Sequence, residues 1–458
     1  MPAQTESSEI TIDPITGKQM KRETMMLNMG PSHPAMHGII RLILELDGET
    51  VVNSDVEIGY LHRAFEKMSE QGGYLQVIPY TDRLNYSSPL INNIGYVMAV
   101  EKLFGLRVPE RAQYIRVIMS ELSRICDHLT CVGASAMELG AFTAFLYMIR
   151  AREALWRNIE MVTGARLTIS YARVGGVKGD FHPEFKPAIL KSIQETRDVL
   201  QECRGLLNGN RIFVDRLKGI GVISKQDALA YGITGPFLRS TGVDYDVRKD
   251  CPYLVYGQLD FEIPVGTAGD NFDRYLLRME EIEQSMRIVE QAFQKMPAGA
   301  VAVDTSGREI PASEMVDEAK MGRTEGIQEH VVSLDPTLEG STKPYFSGIA
   351  STEKRAGLPA KEDTYGNIEG LMNHFKIVMD GHGIEPPAGE VYQAVEGGNG
   401  ELGFYVVSDG SGRPYRVRVR PPCLPIMAAL PIMLNGYSVA DVVATFGSVN
   451  MIGGELDR

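Results

Sequence analysis

Two short segments hold most of the side chains that could move a proton. The first, Gly30-Pro31-Ser32-His33-Pro34-Ala35-Met36-His37-Gly38, places two of the chain's eight histidines four residues apart. Pro31 and Pro34 stiffen this loop, and Gly30 and Gly38 permit close approach of another group. Imidazoles on a rigid loop can deliver a proton near neutral pH. The plainer alternative is a pair of turn histidines that cap backbone groups. The second segment is Thr81-Asp82-Arg83-Leu84-Asn85-Tyr86, just ahead of a helical pattern. A tyrosine beside an arginine there could donate a hydrogen bond to a carbonyl ligand; the plainer alternative is a buried tyrosine with a satisfied hydroxyl.

Other routes to a self-contained active site are missing. There is no strand-linked GxGxxG, no GxxxxGK[ST], no HExxH and no GxSxG. The five cysteines, Cys126, Cys131, Cys203, Cys251 and Cys423, form no CxxC pair. A zinc site or an iron–sulfur cluster held by this chain alone would want clustered thiolates, and a disulfide framework is not expected, which suits a reducing compartment. The net charge of −13 argues against a nucleic-acid binder. The N-terminal stretch is polar and lacks an apolar signal core. No apolar run approaches the roughly 20 residues that span a bilayer, so a membrane link is expected only through partners.

The elements that must position these residues can be read from periodicity. Leu42, Leu44 and Leu46 alternate with Ile43, Glu45 and Asp47, and residues 39–58 read as a hairpin with Asp47-Gly48 at its turn. Residues 89–104 read as a helix stopping at Gly105. The next helix opens at Pro109 and carries Ile115, Ile118, Leu122, Ile125 and Leu129 on one face. Further helices run to about Val162, and another starts near Asp270, a plausible N-cap. Near the C-terminus Leu402, Phe404 and Val406, then Tyr415, Val417 and Val419, alternate as two strands. Arg416, Arg418 and Arg420 project from the opposite face, either as a solvated surface or as a docking surface for an acidic partner. The expected fold is α+β: a mainly helical bundle core with N-terminal and C-terminal antiparallel β regions. The expected organisation is a flexible leader over 1–24, a β region with site loops over 25–88, a helical bundle over 89–299, a polar, partly disordered insertion over 300–366, and an α/β region over 367–458.

Set in order along the chain, these segments resemble the D subunit of respiratory complex I, a family itself related to the large subunit of [NiFe] hydrogenases. The resemblance also rests on Ile58–Arg63 (IGYLHR), Ala99–Leu103 (AVEKL), Arg116–Ile118, Glu121–Arg124 (ELSR), Arg173–Val177 (RVGGV), Gly242–Lys249 (GVDYDVRK), Gly400–Gly410 (GELGFYVVSDG) and the terminal Gly454–Arg458 (GELDR). It covers nearly everything from about Leu27 except 300–366, which looks longer than usual in the family. It implies a fold like the hydrogenase large subunit.

The resemblance also implies a function. Family quinone-headgroup ligands fall on His37 and Tyr86, with His33 on the same loop, and Arg83 falls where the family places an arginine facing a [4Fe–4S] cluster held by the neighbouring B subunit. Partners would be the B and C subunits and the membrane arm, at the cytoplasmic face of a bacterial cell membrane, with no nucleic acid. Hydrogenases hold their metals with two CxxC pairs, which would fall at Asn85 and Ser88 and near Ile452 and Glu455. None of these is cysteine, so a soft-ligand metal site is not expected. Glu138 stands where the family has an aspartate bonded to the site histidine, and Thr168 where many relatives carry a histidine near the cluster. The second departure implies a cluster with little pH dependence and a low-potential quinone such as menaquinone. A scaffold that only docks its neighbours, and a hydrogenase-type large subunit, are the competing classes.

Overall fold

The computed structural model describes residues 8–12, 19–36, 39–303, 309–311, 361–366, 368–379 and 384–458. Strands β1 (Ser8–Ile12) and β2 (Gln19–Glu23) pair antiparallel, so the expected leader carries a hairpin. Strands β3 (Met25–Met29), β4 (Arg41–Asp47) and β5 (Thr50–Glu57) form an antiparallel sheet. Leu42, Leu44 and Leu46 are buried, as their alternation requires, each stabilising the fold by roughly 1.5–3 kcal/mol. Gly48, at φ 61°, makes the tight turn that the hairpin needs.

Helices α1 (Phe65–Gln71) and α2 (Tyr74–Thr81) lead into α3 (Pro89–Phe104), which has proline in its first turn and ends on left-handed Gly105. The long α4 (Glu110–Glu138) turns into α5 (Phe142–Thr163), and α6 (Phe185–Leu207) packs on α5. Four short helices follow, α7 (Arg211–Asp215), α8 (Lys225–Ala230), α9 (Pro236–Ser240) and α10 (Val247–Asp250). Asp270 then caps α11 (Asn271–Lys295) by accepting the Asp273 N–H. Helix α4 lies at the centre, touched by α3, α5 and α11.

A four-stranded antiparallel sheet was not foreseen. It joins β6 (Ala172–Arg173), β7 (Gly176–Val177), β8 (Ala300–Val303) and β9 (Glu309–Pro311). Its first strands are two residues long, too short to show a period. The expected insertion over 300–366 thus begins in ordered strand, and residues 304–308 and 312–360 lie outside the described residues. After α12 (Lys361–Gly366) and α13 (Ile368–Val378), strands β10 (Gly389–Glu396), β11 (Glu401–Ser408) and β12 (Arg416–Arg420) form an antiparallel sheet on α3. The arginine stripe of β12 is neither a bare solvated face nor an unpaired docking surface: Arg416 pairs with Glu70 and Arg418 with Glu66, both on α1, and Arg420 donates to the Glu401 and Gly232 carbonyls.

The chain closes with α14 (Cys423–Leu434), α15 (Val439–Val449) and α16 (Gly453–Asp457). These bury Ile426, Leu430 and Phe446 in one apolar cluster with Met36, Ile40 and Leu44. The backbone of Val51 exchanges hydrogen bonds with Gly436 and Tyr437. The two ends of the sequence are therefore one structural region, and the loops singled out above lie within it.

Candidate functional site: a closed polar chamber behind Tyr86

The turn from Asp82 to Ser88 hangs between α2 and α3. Asn85 fixes it: its Oδ1 accepts the backbone N–H groups of Ser87 and Ser88, and its carbonyl accepts Asn92 Nδ2 at 2.9 Å. Asn85 Nδ2 points inward and donates to Asp127 Oδ2 at 3.1 Å. Tyr86, the next residue, is half-buried. Burial raises its phenol pKa, with Cys423 and Asp127 adding to the effect, so the phenol stays a donor at neutral pH.

Asp127 comes from the middle of α4 and is fully buried. Its other oxygen accepts Asn450 Nδ2 at 3.0 Å. Asn450 ends α15 in the left-handed conformation, φ 53°, which asparagine tolerates better than most side chains. Asn450 Nδ2 also donates to Asn399 Oδ1 at 2.8 Å, and Asn399 Nδ2 donates to Cys423 Sγ at 3.4 Å. Cys423 opens α14, where its backbone N–H donates to Glu455 Oε1 at 3.0 Å. Glu455 is 1 % exposed. Burial, reinforced by the Asp127 charge, pushes its carboxyl up to about 7 against the Cys423 hydrogen bonds and Arg420. A Cβ on Gly398 would collide with the Asp127 carboxylate, so only glycine lets the β10–β11 turn approach this closely.

The terminal helix α16 ties the loops together. A Cβ on Gly453 would fall 2.6 Å from Ile39 Cδ1, and one on Gly454 would fall 2.8 Å from the Leu84 carbonyl oxygen. The histidine loop and the Tyr86 turn thus both press on adjacent glycines of α16. Asp457 accepts the backbone N–H groups of Gly59 and Leu61 at 2.9 and 2.7 Å, and His62 Nδ1 donates to its carbonyl at 2.7 Å.

The residues expected from the sequence are not all brought together. His33 is half-buried and its Nδ1 accepts the Ala35 N–H at 3.2 Å, the plainer capping role. His37 lies outside the described residues; its neighbour Met36 is buried against α15. Glu138 ends α4 half-buried, with Oε2 2.5 Å from where a Cβ on Gly447 of α15 would stand. The helix that carries Gly447 also touches the turn Pro34–Met36. Arg83 is exposed and bonds the Pro79 carbonyl and Asp82, each at 2.7 Å. Exposed Arg63 donates to the Arg83 carbonyl at 2.9 Å. Burial pushes Asp82 up to about 6, against the opposing pull of Arg83 and Arg63. Thr168 is exposed. Sequence reasoning missed Asp127, Asn399, Asn450 and Cys423, and counted Glu455 only as a position that is not cysteine. The run Glu396-Gly-Gly-Asn-Gly was the available signal for Asn399.

A second buried network supports α4. Arg239 bonds Glu281 at 2.8 Å and Glu396 at 2.9 Å, and Arg248 bonds Asp246 at 2.7 Å and Glu121 at 3.1 Å. His128 Nε2 lies 2.8 Å from Glu281. Arg124 donates to the carbonyls of Glu396 and Gly397, which holds the turn carrying Asn399. Among the described residues no group of three or more His, Cys, Asp or Glu side chains is arranged to hold a metal, and no helix is long and apolar enough to cross a membrane.

Fold and site together define a helical α+β protein whose two ends close one dry polar chamber, with a tyrosine at its edge. Its family follows from comparison with known proteins. Residues 138–458 match the model of the respiratory-chain NADH dehydrogenase 49 Kd subunit, and the chain belongs to that family, which supplies one component of an oxidoreductase complex. The first of two NADH-quinone oxidoreductase D subunits of Sorangium cellulosum (strain So ce56) is 51% identical over 437 residues, 95% of this chain and 96% of that protein. The NADH-quinone oxidoreductase D subunit of Myxococcus xanthus (strain DK1622) is 49% identical over 439 residues, 96% of this chain and 94% of that one. The fused C/D subunit of the NADH-quinone oxidoreductase of Bdellovibrio bacteriovorus is 46% identical over 442 residues, 96% of this chain and 70% of the relative.

Proposed function

We propose that this chain is the quinone-site subunit of a proton-pumping NADH:quinone oxidoreductase, respiratory complex I. In this reading electrons arrive from a [4Fe–4S] cluster in the adjacent B subunit, which Arg83 and Arg63 face, and the quinone head lies against Tyr86 and His37. The observation that carries it is Tyr86: a half-buried phenol, held protonated, on a turn clamped by Asn85 and backed by carboxyls. Such a phenol can donate to a carbonyl oxygen and release its proton as negative charge develops there, an effect of about 10²–10⁴ in rate.

Glu138 would orient His37 and balance its charged form; both stand on segments that α15 touches. Loss of the histidine proton would leave that carboxylate without its counter-charge, and the cost could drive the movement that starts proton translocation in the membrane arm. Asn85 and Glu455, at the positions where a hydrogenase would place thiolates, both face the chamber, which supports reading it as a former metal cavity. The fused C/D relative supports the C subunit as a neighbour. The complex would sit at the cytoplasmic face of a bacterial cell membrane. Thr168 cannot titrate, so the cluster potential should vary little with pH, as suits menaquinone; a steep slope in redox titrations at several pH values rejects this.

The decisive experiment is Tyr86→Phe in the assembled complex. Quinone reduction should fall by about 10²-fold or more while NADH still reduces the cluster. An undiminished rate overturns the reading and leaves a scaffold. Glu138→Gln should slow turnover or uncouple pumping; unchanged reduction and pumping remove Glu138 from the scheme.

A further inference from the structure

The chamber behind Tyr86 holds two fully buried carboxyls, Asp127 and Glu455, and neither has an ion-pair partner among the described residues within reach of a salt bridge. Asp127 takes one amide N–H on each oxygen, Asn85 on one side and Asn450 on the other. Hydrogen bonds of that kind favour the charged carboxylate. Glu455 receives only the Cys423 backbone N–H and lies beside the Cys423 thiol. Two negative charges in one dry space repel, so the less well solvated group keeps its proton. That group is Glu455. The titratable or charged groups bearing on it are Cys423 of α14, Asp127 of α4 and Arg420 of β12, and Cys423 in turn bears on Tyr86.

We infer that Glu455 is the proton store for Tyr86, refilling the phenol through the Cys423 thiol after Tyr86 has given its proton to the substrate. This rests on the quinone-site reading above. The Tyr86 O–H bond breaks as an O–H bond forms on the substrate oxygen, which has already received its electrons from the neighbouring subunit. The phenolate left behind stands next to the Asp127 carboxylate, a like-charge contact that favours prompt reprotonation. Cys423 S–H then gives its proton to the phenolate oxygen while its sulfur takes the Glu455 proton. Phenol and thiol are restored, Glu455 is left as the carboxylate, and no electrons move in the relay. Asn399, which donates to Cys423 Sγ, holds the sulfur between its two partners.

The test is the pH profile of quinone reduction by the assembled complex carrying Glu455→Gln, which keeps the shape of the side chain and cannot store a proton. The wild type should lose rate as pH rises through about 7. The variant should lack that limb, running about tenfold slower at pH 6 and approaching the wild type above pH 8. Cys423→Ala should match it, and Cys423→Ser, which keeps an exchangeable proton, should restore most of the rate. Should Glu455→Gln fail to assemble, the Cys423 pair decides the matter alone. A limb near pH 7 that survives in Glu455→Gln, or equal rates for Cys423→Ala and Cys423→Ser, overturns the store. These failures remain distinct from failure of the quinone site: a Tyr86→Phe complex at full speed defeats both, whereas a crippled Tyr86→Phe beside an unaltered Glu455→Gln defeats only the store.

Discussion

Replacing Asp127 by asparagine should damage this protein more than the single-atom change suggests. Each Asp127 oxygen accepts one amide, Asn85 Nδ2 at 3.1 Å and Asn450 Nδ2 at 3.0 Å. Neither donor can turn round. Asn85 Oδ1 is engaged by the N–H groups of Ser87 and Ser88, and Asn450 Nδ2 also serves Asn399 Oδ1. Whichever way the new amide is placed, its NH2 meets another NH2. The loss comprises one charged hydrogen bond, about 1.5–3 kcal/mol, and one buried donor without an acceptor, about 1–3 kcal/mol. Removing a buried charge offsets part of this, leaving a net cost of about 2–4 kcal/mol.

Urea unfolding should read that cost as a lower midpoint with unchanged slope. A second signal is independent of stability. Without the Asp127 charge, Glu455 loses a repulsive neighbour, so the alkaline limb of quinone reduction should move to lower pH. A variant within about 0.5 kcal/mol of the wild type, with an unmoved limb, would refute the whole arrangement of donors and charges.

Three further outcomes follow from the same packing. Glu455 is held up from an ordinary 4.5 to about 7, so the folded state binds more protons than the unfolded one between those values, and stability falls as pH rises across that window. Glu455→Gln should remove this loss and be more stable than the wild type at pH 8 by up to about 3 kcal/mol, checked by urea unfolding at pH 5 and pH 8; equal slopes against pH would contradict it. Glu101→Met should destabilise by about 3–5 kcal/mol, because it strands the buried guanidinium of Arg116, which Glu101 grips at 2.6 and 2.8 Å. Pairing it with Arg116→Met should recover part of the loss in a double-mutant cycle. Gly454→Ala should lower quinone reduction by displacing the Leu84 carbonyl and hence the Tyr86 turn, with a normal rate showing that α16 does not set that turn.

The motifs visible in the sequence turn out to be the two halves of individual contacts. AVEKL and RVGGV meet at Arg116, which bonds Glu101 and the carbonyls of Arg173 and Gly176. ELSR and GVDYDVRK meet where Arg248 reaches Glu121, and IGYLHR meets GELDR at Asp457. Charged side chains buried this deeply must be paired, so they stand out as fixed words in the chain. The leucine alternation of β4 and the caps of α3 and α11 were legible for the ordinary reason that short-range pattern and packing agree there.

The chamber was illegible because its signals contradict local pattern. On α4 the residues Ile115, Ile118, Leu122, Ile125 and Leu129 mark one apolar face, and by the amphipathic rule Asp127 and His128 should lie toward water. Both are fully buried, because α3, α5, α11 and α15 surround the helix. A helix covered on every side has no polar face to give to solvent, so each polar residue on it must find a partner inside the protein. Those partners are Asn85, Asn450 and Glu281, 42, 323 and 153 residues distant. No window along the chain could join them. Once α4 is known to be central, however, the conclusion reverses: a carboxylate at its midpoint needs donors from several other elements, and those elements then enclose a space that water does not fill. The proton chemistry proposed for Tyr86 depends on that enclosure, since the same two carboxyls in water would both ionise at neutral pH and store nothing.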